Sequence, residues 1–332
     1  MKNRKKKWIF LALLIFCLIS IWASLSLGAA ELRVSQIWRA IWQGAHSGYE
    51  GYIFWYVRLP RTAACLLAGA GLAVSGAVIQ AVLANPLASS GMIGVNAGAG
   101  MAVTICCGLG IFGGWVIAGA AFAGGLSAVM LVAAAAQKRK ASRTTVILGG
   151  VAVNSFFSAV SEAIITLVPE AGTMSADFRV GGFSSVSYVR LIPAGILIVI
   201  ALGITLTLCN ELDLMNLGEE TAQSLGMSVK KMRTVMLGLA ALLAGASVSF
   251  AGILGFVGLI VPHTMRKLVG NESCNLLPAC AIGGAGFVTF CDVIARVAFM
   301  PYEIPVGILM SFIGGPFFVW LILKKKGGHS NA

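Results

Sequence analysis

Apolar residues run along this chain in blocks of about twenty, each enough to cross the hydrocarbon of a bilayer as one helix. Polar residues collect in short clusters between the blocks. Short alternating strands, which a membrane barrel requires, are not the pattern. The chain therefore reads as an all-α, polytopic membrane protein. Lys and Arg of short loops stay on the cytoplasmic side, so the basic clusters at 2–7, 138–143, 230–233, 266–267 and 324–326 mark the inside. One span leads out to about residue 31, three lie between 61 and 138, one runs out to Pro169 and one back to Glu211. Residues 31–61 hold no span, only the aromatic run YIFWY (52–56), of the kind found at the membrane interface. The stretch 235–262 is too long for one span and too short for two full ones. Inside-type clusters at both its ends require an even number, so a helix out and a shorter, Gly-broken helix back are expected around Gly252, Gly255 and Gly258. Two last spans turn outside between Asp292 and Pro305. The sum is about ten transmembrane helices with both termini cytoplasmic.

The sequence LLAGA occurs at 66–70 and again at 242–246. At the same offset of 176 residues Gly76 matches Gly252, Leu83 matches Leu259, Pro86 matches Pro262 and Gly94 matches Gly270. The first copy falls on the second span and the second on the seventh. An odd number of spans separates them, so the copies run in opposite directions. This predicts one transmembrane domain over 1–332 made of two inverted five-helix halves, about 1–185 and 186–332. Inverted repeats around a central path are a recurrent transporter architecture. Small residues let membrane helices pack closely, which predicts glycine seams at 69–76 and 245–252.

Composition adds three limits. The chain is 58% hydrophobic and 11% charged, with a formal charge of +12. That charge sits in the loop clusters that set orientation, so nucleic acid is not an expected partner; the lipid bilayer is. The eight cysteines show no C-x-x-C spacing and mostly lie in apolar blocks, where they read as small hydrophobes. Three scattered histidines predict no metal site, and His263 reads as structural. No cofactor and no catalytic constellation is expected, and no G-x-x-x-x-G-K-[ST] loop for ATP occurs. The N-terminal segment reads as an uncleaved first span, with cleavage after Ala29 or Ala30 as the alternative.

Ionisable residues inside spans are few. Glu162 is the one acid clearly within a span, while Asp292 and Arg296 are four apart and can pair along one helix. The soluble segment 211–233 predicts a short cytoplasmic helix, about 216–226. Asn216 reads as its N-cap, Glu219 and Glu220 lie in its first turn, Leu217, Ala222 and Leu225 form its apolar side, and Gly226 ends it. Gln80, Met92, Met101 and Glu162 are candidate path-lining residues.

The stretch RLPRTAACLLAGAGLAVSGAVIQAVLANPLASSGMIGVNAGAG (58–100) resembles the permeases of iron–siderophore, haem and vitamin B12 ABC importers. LGEETAQSLGMSVKKMR (217–233), GILGFVGLIVPHTMRKLVG (252–270) and CDVIARV (291–297) extend the resemblance over essentially the whole chain. It departs at Ser89 and Ser90, where the family has an acidic residue and Pro, and at FRVGGF (178–183). The resemblance implies a homodimer, or a pair with a closely related permease, in the cell membrane. It also implies two ATP-binding subunits and an external substrate-binding protein, with ATP hydrolysis on the separate chains. Asn216, Leu217, Gly218, Glu219, Glu220, Ala222, Leu225 and Gly226 match the coupling helix that docks on the ATPase. Arg58, Arg61 and Arg296 match arginines that meet acidic residues of the binding protein. The implied cargo is a metal chelate, ferric siderophore first, with haem or cobalamin as alternatives. A proton- or sodium-coupled secondary transporter with a similar repeat is the competing class.

Overall fold

The computed structural model describes residues 2–28, 34–44, 48–138 and 143–326. The possible cleavage point at 29–30, Arg33 and part of the second basic cluster lie outside the described residues. Among those described, all regular structure is helical. The order is α1 (Lys2–Ser26), α2 (Val34–Gln43), α3 (Tyr49–Ile53), a π-helical turn (Phe54–Arg58), α4 (Leu59–Val82) and α5 (Val95–Gly108). Then follow α6 (Gly114–Lys138), α7 (Arg143–Leu167), α8 (Pro169–Val180), α9 (Tyr188–Thr207) and α10 (Cys209–Asn216). The chain closes with α11 (Glu219–Ser224), α12 (Val229–Ala251), α13 (Val257–Val269), α14 (Ser273–Val297) and α15 (Val306–Lys326).

Seven of the helical runs are long and apolar enough to cross a membrane. They lie in α1, α3–α4, α6, α7, α9, α12 and α14, while α5 and α15 are shorter apolar helices. The 14 residues of α5 and the 13 of α13 are helices of about 20 Å, short of the ~30 Å hydrocarbon. Both follow a break after the LLAGA helix, at 83–94 and 252–256. The second break is the Gly-broken return expected from the sequence.

α4, α12 and α14 form the centre; the α4 span is 78% buried and the α12 span 72%. Lipid tails are as apolar as leucine, so close packing holds membrane helices together rather than escape from water. Gly76 supplies that contact: its Cα lies against the backbone of Gly258, and a Cβ would overlap it. Gly69 meets the backbone of Gly284 in the same way. The first glycine seam is therefore present, joining α4 to α13 and α14. The second differs from expectation. Gly245 lies in ordinary contact with the ring and carbonyl of Phe122, and Gly252 closes instead on the backbone of Phe178 and Gly181 at the end of α8. With φ of 69° it ends α12, in a region that a side chain strains.

The break after Gly252 is knotted by backbone bonds. Ile253 N–H donates to the Phe178 carbonyl at 2.9 Å, and Gly182 N–H to Ala251 at 2.8 Å. Gly307 N–H donates to Gly181 at 3.1 Å, so the ends of α8, α12 and α15 are tied together. Irregular backbone at membrane depth survives only when its polar groups are met in this way.

Candidate functional site

Three polar regions stand out against the apolar bundle. The first is at the α4 start. The π-turn and Pro60 carry the chain into α4, leaving Arg58 and Arg61 on its first turn. Arg61 grips Asp292 of α14 with Nη2 to Oδ1 at 3.0 Å and Nε to Oδ2 at 3.0 Å. Its Nη1 donates to Glu303 at 2.8 Å. Arg296 Nε lies 3.1 Å from the same Asp292 Oδ2, and its Nη2 donates to Ser24 Oγ at 2.9 Å. Arg58 Nη1 donates to the Leu25 carbonyl at 2.6 Å. The expected Asp292–Arg296 pair is present, but it belongs to a larger clamp joining α1, α4 and α14. All three arginines are buried, at 4%, 8% and 4% exposure. Burial of Arg61 and Arg296 is tolerable because both are paired with Asp292 and hydrogen-bonded, and Arg58 is held by its bond to the Leu25 carbonyl.

The second region is at the opposite end. α10 and α11 form a bent arm between α9 and α12. Asp213 accepts from Ser273 N–H at 2.9 Å and Ser273 Oγ at 2.6 Å, docking α10 on the start of α14. Asn216 ends α10, and Gly218 rather than Asn216 occupies the N-cap of α11. The Asn216 cap expectation is corrected, because the chain bends between two helices instead of starting one. Glu219 and Glu220 fill the first turn as expected, and Glu219 pairs with Arg233. Gly226, in the left-handed region, follows the helix end. Ala222 is fully buried against the chain, so it cannot touch a partner; Leu217 and Leu225 are 62% and 61% exposed. Glu272 pairs with Lys6 at 2.8 Å, which holds its carboxyl below the usual carboxylate range. A cavity of about 540 Å³ lies under the arm, lined by Gln80, Asn85, Asp213, Asn216, Arg266 and Ser273 among others.

Gln80 is 2% exposed and donates to the Gly258 carbonyl at 3.0 Å. It also accepts from Arg266. Its amide binds α4 to α13, so its side chain is a structural tie at the edge of that cavity rather than a residue along an open path. Met92 lies between α4 and α5 and Met101 on α5, both half-buried. His263 packs edge-on against Phe317. Among the described residues no group of His, Cys, Asp and Glu is arranged for a metal.

The third region was not foreseen as a unit. A recess of about 240 Å³ between α5, α7 and α8 is lined by Asn96, Asn154, Ser158, Ser161, Glu162 and Arg179 among others. Glu162, expected from the sequence, pairs there with Arg179 at 2.8 Å. Asn154, Ser158 and Glu162 recur every fourth residue on α7, a signal present in the sequence. The α7 span is only 17% buried, so this face is open in the single chain.

Cysteine behaviour also divides. Cys17, Cys65, Cys106, Cys107, Cys280 and Cys291 are buried thiols, as expected. Cys209 and Cys274 instead form a disulfide, with Cα atoms 5.2 Å apart. Their 65-residue separation hid the pair from any local spacing rule.

Buried charge clamps, helices broken at membrane depth and a polar recess on an open span define a multi-pass membrane transport protein. The chain belongs to the FecCD transport family, whose model matches residues 14–324. It is 35% identical to the vitamin B12 import system permease protein BtuC of Yersinia enterocolitica, over 98% of this chain and 94% of that one. It is 34% identical to the Fe(3+)-citrate import system permease protein YfmD of Bacillus subtilis, over 98% and 97%. A solved inward-facing metal-chelate type ABC transporter superposes with a TM-score of 0.85 at 29% identity, covering 96% of this chain and 99% of that one. The motifs at 58–100, 217–233, 252–270 and 291–297 pointed to this family. The chain is accordingly a permease, a transport component of the cell membrane and not an enzyme.

Proposed function

We propose that the chain forms the membrane path of an ATP-driven importer of a metal chelate, ferric siderophore first. The open face of α7 carries this reading. A row of amide, hydroxyl and carboxylate groups is costly against lipid, so a second copy must cover it and enclose water. That supports a homodimer with the cargo path along the shared face, Glu162 and its recess lining it. Amide and hydroxyl groups around one ion pair suit an oxygen-rich chelate, while the relatives' printed cargoes differ.

Ten spans follow if α5, α13 and α15 cross together with the seven longer runs. The Lys6–Glu272 pair supports placing the N-terminal cluster and the α13–α14 turn on one side, the cytoplasm by the positive-inside rule. Inverted halves are supported by matching neighbours. α4 packs on α14 as α12 packs on α6, and α5 packs on α6 as α13 packs on α14.

The exposed side of α11, with Leu217, Glu220 and Leu225, is the surface for two ATP-binding subunits. The arginine clamp of Arg58, Arg61 and Arg296, at the opposite end, marks the side that meets acidic residues of an external substrate-binding protein. Co-reconstitution with both partner types tests the whole reading. Uptake of a ferric siderophore should require ATP on the side of α11, and Leu225→Asp should abolish it while the chain still inserts. Uptake by the chain alone under a proton or sodium gradient would overturn it.

A further inference from the structure

We infer that Cys209 and Cys274 are a redox modification site, cycling between dithiol and disulfide by reaction with a hydroperoxide. The argument rests on the cytoplasmic placement of the Lys6–Glu272 end proposed above. Cytosol keeps thiols reduced, so a disulfide there is transient and regulatory rather than a fixed staple. Six of the eight cysteines are buried among apolar helices and out of reach. Cys274 is exposed and Cys209 half-exposed, so this pair alone meets a soluble oxidant.

Position gives the chemistry a consequence. Cys209 opens α10, the first limb of the arm that carries α11. Cys274 stands at the start of α14, beside Ser273. In the reduced form the Asp213–Ser273 bonds and the buried Leu212 and Met215 hold the two elements without a covalent link. In the oxidised form a covalent bridge fixes the same joint. Oxidation therefore ties the arm to α14, the helix that reaches the arginine clamp at the other end.

The step balances. One thiolate attacks the peroxide oxygen, giving a sulfenic acid and releasing hydroxide, which takes up a proton to leave as water. The second thiolate attacks the sulfenic sulfur, forming the S–S bond and releasing a second hydroxide, again lost as water. Two thiols lose two electrons and two protons to one hydrogen peroxide. Return requires a cytosolic dithiol, by two exchange steps through a mixed disulfide.

Membrane vesicles containing the full chain test this. Inside-out and right-side-out vesicles, reduced with dithiothreitol and washed, are treated with an impermeant polyethylene glycol maleimide. Both cysteines should be tagged in inside-out vesicles only. Tagging from the outer side alone would overturn the cytoplasmic placement, and the inference with it. Hydrogen peroxide added to reduced inside-out vesicles should then abolish both tags, and non-reducing digestion should yield a peptide linked through Cys209 and Cys274. Dithiothreitol should restore both tags. Cys209→Ser and Cys274→Ser should each keep one taggable site and give no linked peptide. Inner-side tagging without any linked peptide after peroxide would overturn the redox site while leaving the topology standing.

Discussion

Gly76 and Gly252 occupy matching places in the two LLAGA segments, yet one lies inside a helix and the other ends one. In the first copy α4 continues past its glycine and uses the absent side chain to touch Gly258. In the second copy α12 stops at its glycine, and the chain turns into the knotted break before α13. The anchorage of the two helix starts differs too. α4 starts with Arg58 and Arg61, whereas the matching positions on α12 are Thr234 and Leu237. The matching sequence thus fixes where small residues fall, and the surrounding packing decides what each one does.

Five substitutions sharpen that contrast. The largest effect is expected for Asp292→Ala, which strips the first copy's clamp and leaves Arg296 and Arg61 buried beside no shared carboxylate. Removing one partner of a buried ion pair costs about 3–5 kcal/mol. In detergent the thermal midpoint should fall steeply, and Leu237→Ala on the other copy should not reproduce the size of that fall. Next comes Gly76→Leu, which forces α4 off the Gly258 backbone. Overpacking of this kind costs about 3 kcal/mol, and a monodisperse size-exclusion peak should be lost. Gly252→Ala should cost about 2 kcal/mol, because it strains a positive φ and meets the Phe178 carbonyl. Gly245→Ala should be smallest, within about 0.5 kcal/mol, since the nearest atom, on the Phe122 ring, is in ordinary contact. Equal losses at Gly245 and Gly76 would break the comparison.

The apolar periodicity carried most of the span plan, including the break at 252–256, because glycine clusters interrupt a helix in a way that is local to the chain. α8 was absent from that plan although its signals are local: Pro169 in its first turn, Glu170 beside it and Gly181 just past its end. α2 escaped for the opposite reason. Its ten residues are too few to cross a bilayer, and a search for spans passes over an amphipathic piece. In the clamp, the Asp292–Arg296 contact follows from helical spacing, but the Arg61–Asp292 grip joins residues 231 apart in sequence. No local rule reaches that far. The same holds for Cys209 with Cys274 and for the burial of Ala222, whose short apolar side chain fits a partner's surface and its own chain equally well.

The knot around 252–256 also governs how the protein can be made. α13 has 13 residues, too short to hold itself across a bilayer as it leaves the ribosome. Its entry is closed by Phe178 from the preceding half and by the Gly181 corner, which the Gly307 amide of α15 then locks. α15 is made after α8, α12 and α13. A nascent chain that has reached α14 still carries an unsealed joint in its middle, and only the arrival of α15 completes it. Closure of this joint therefore waits on a segment made more than fifty residues later, however early the first helices insert.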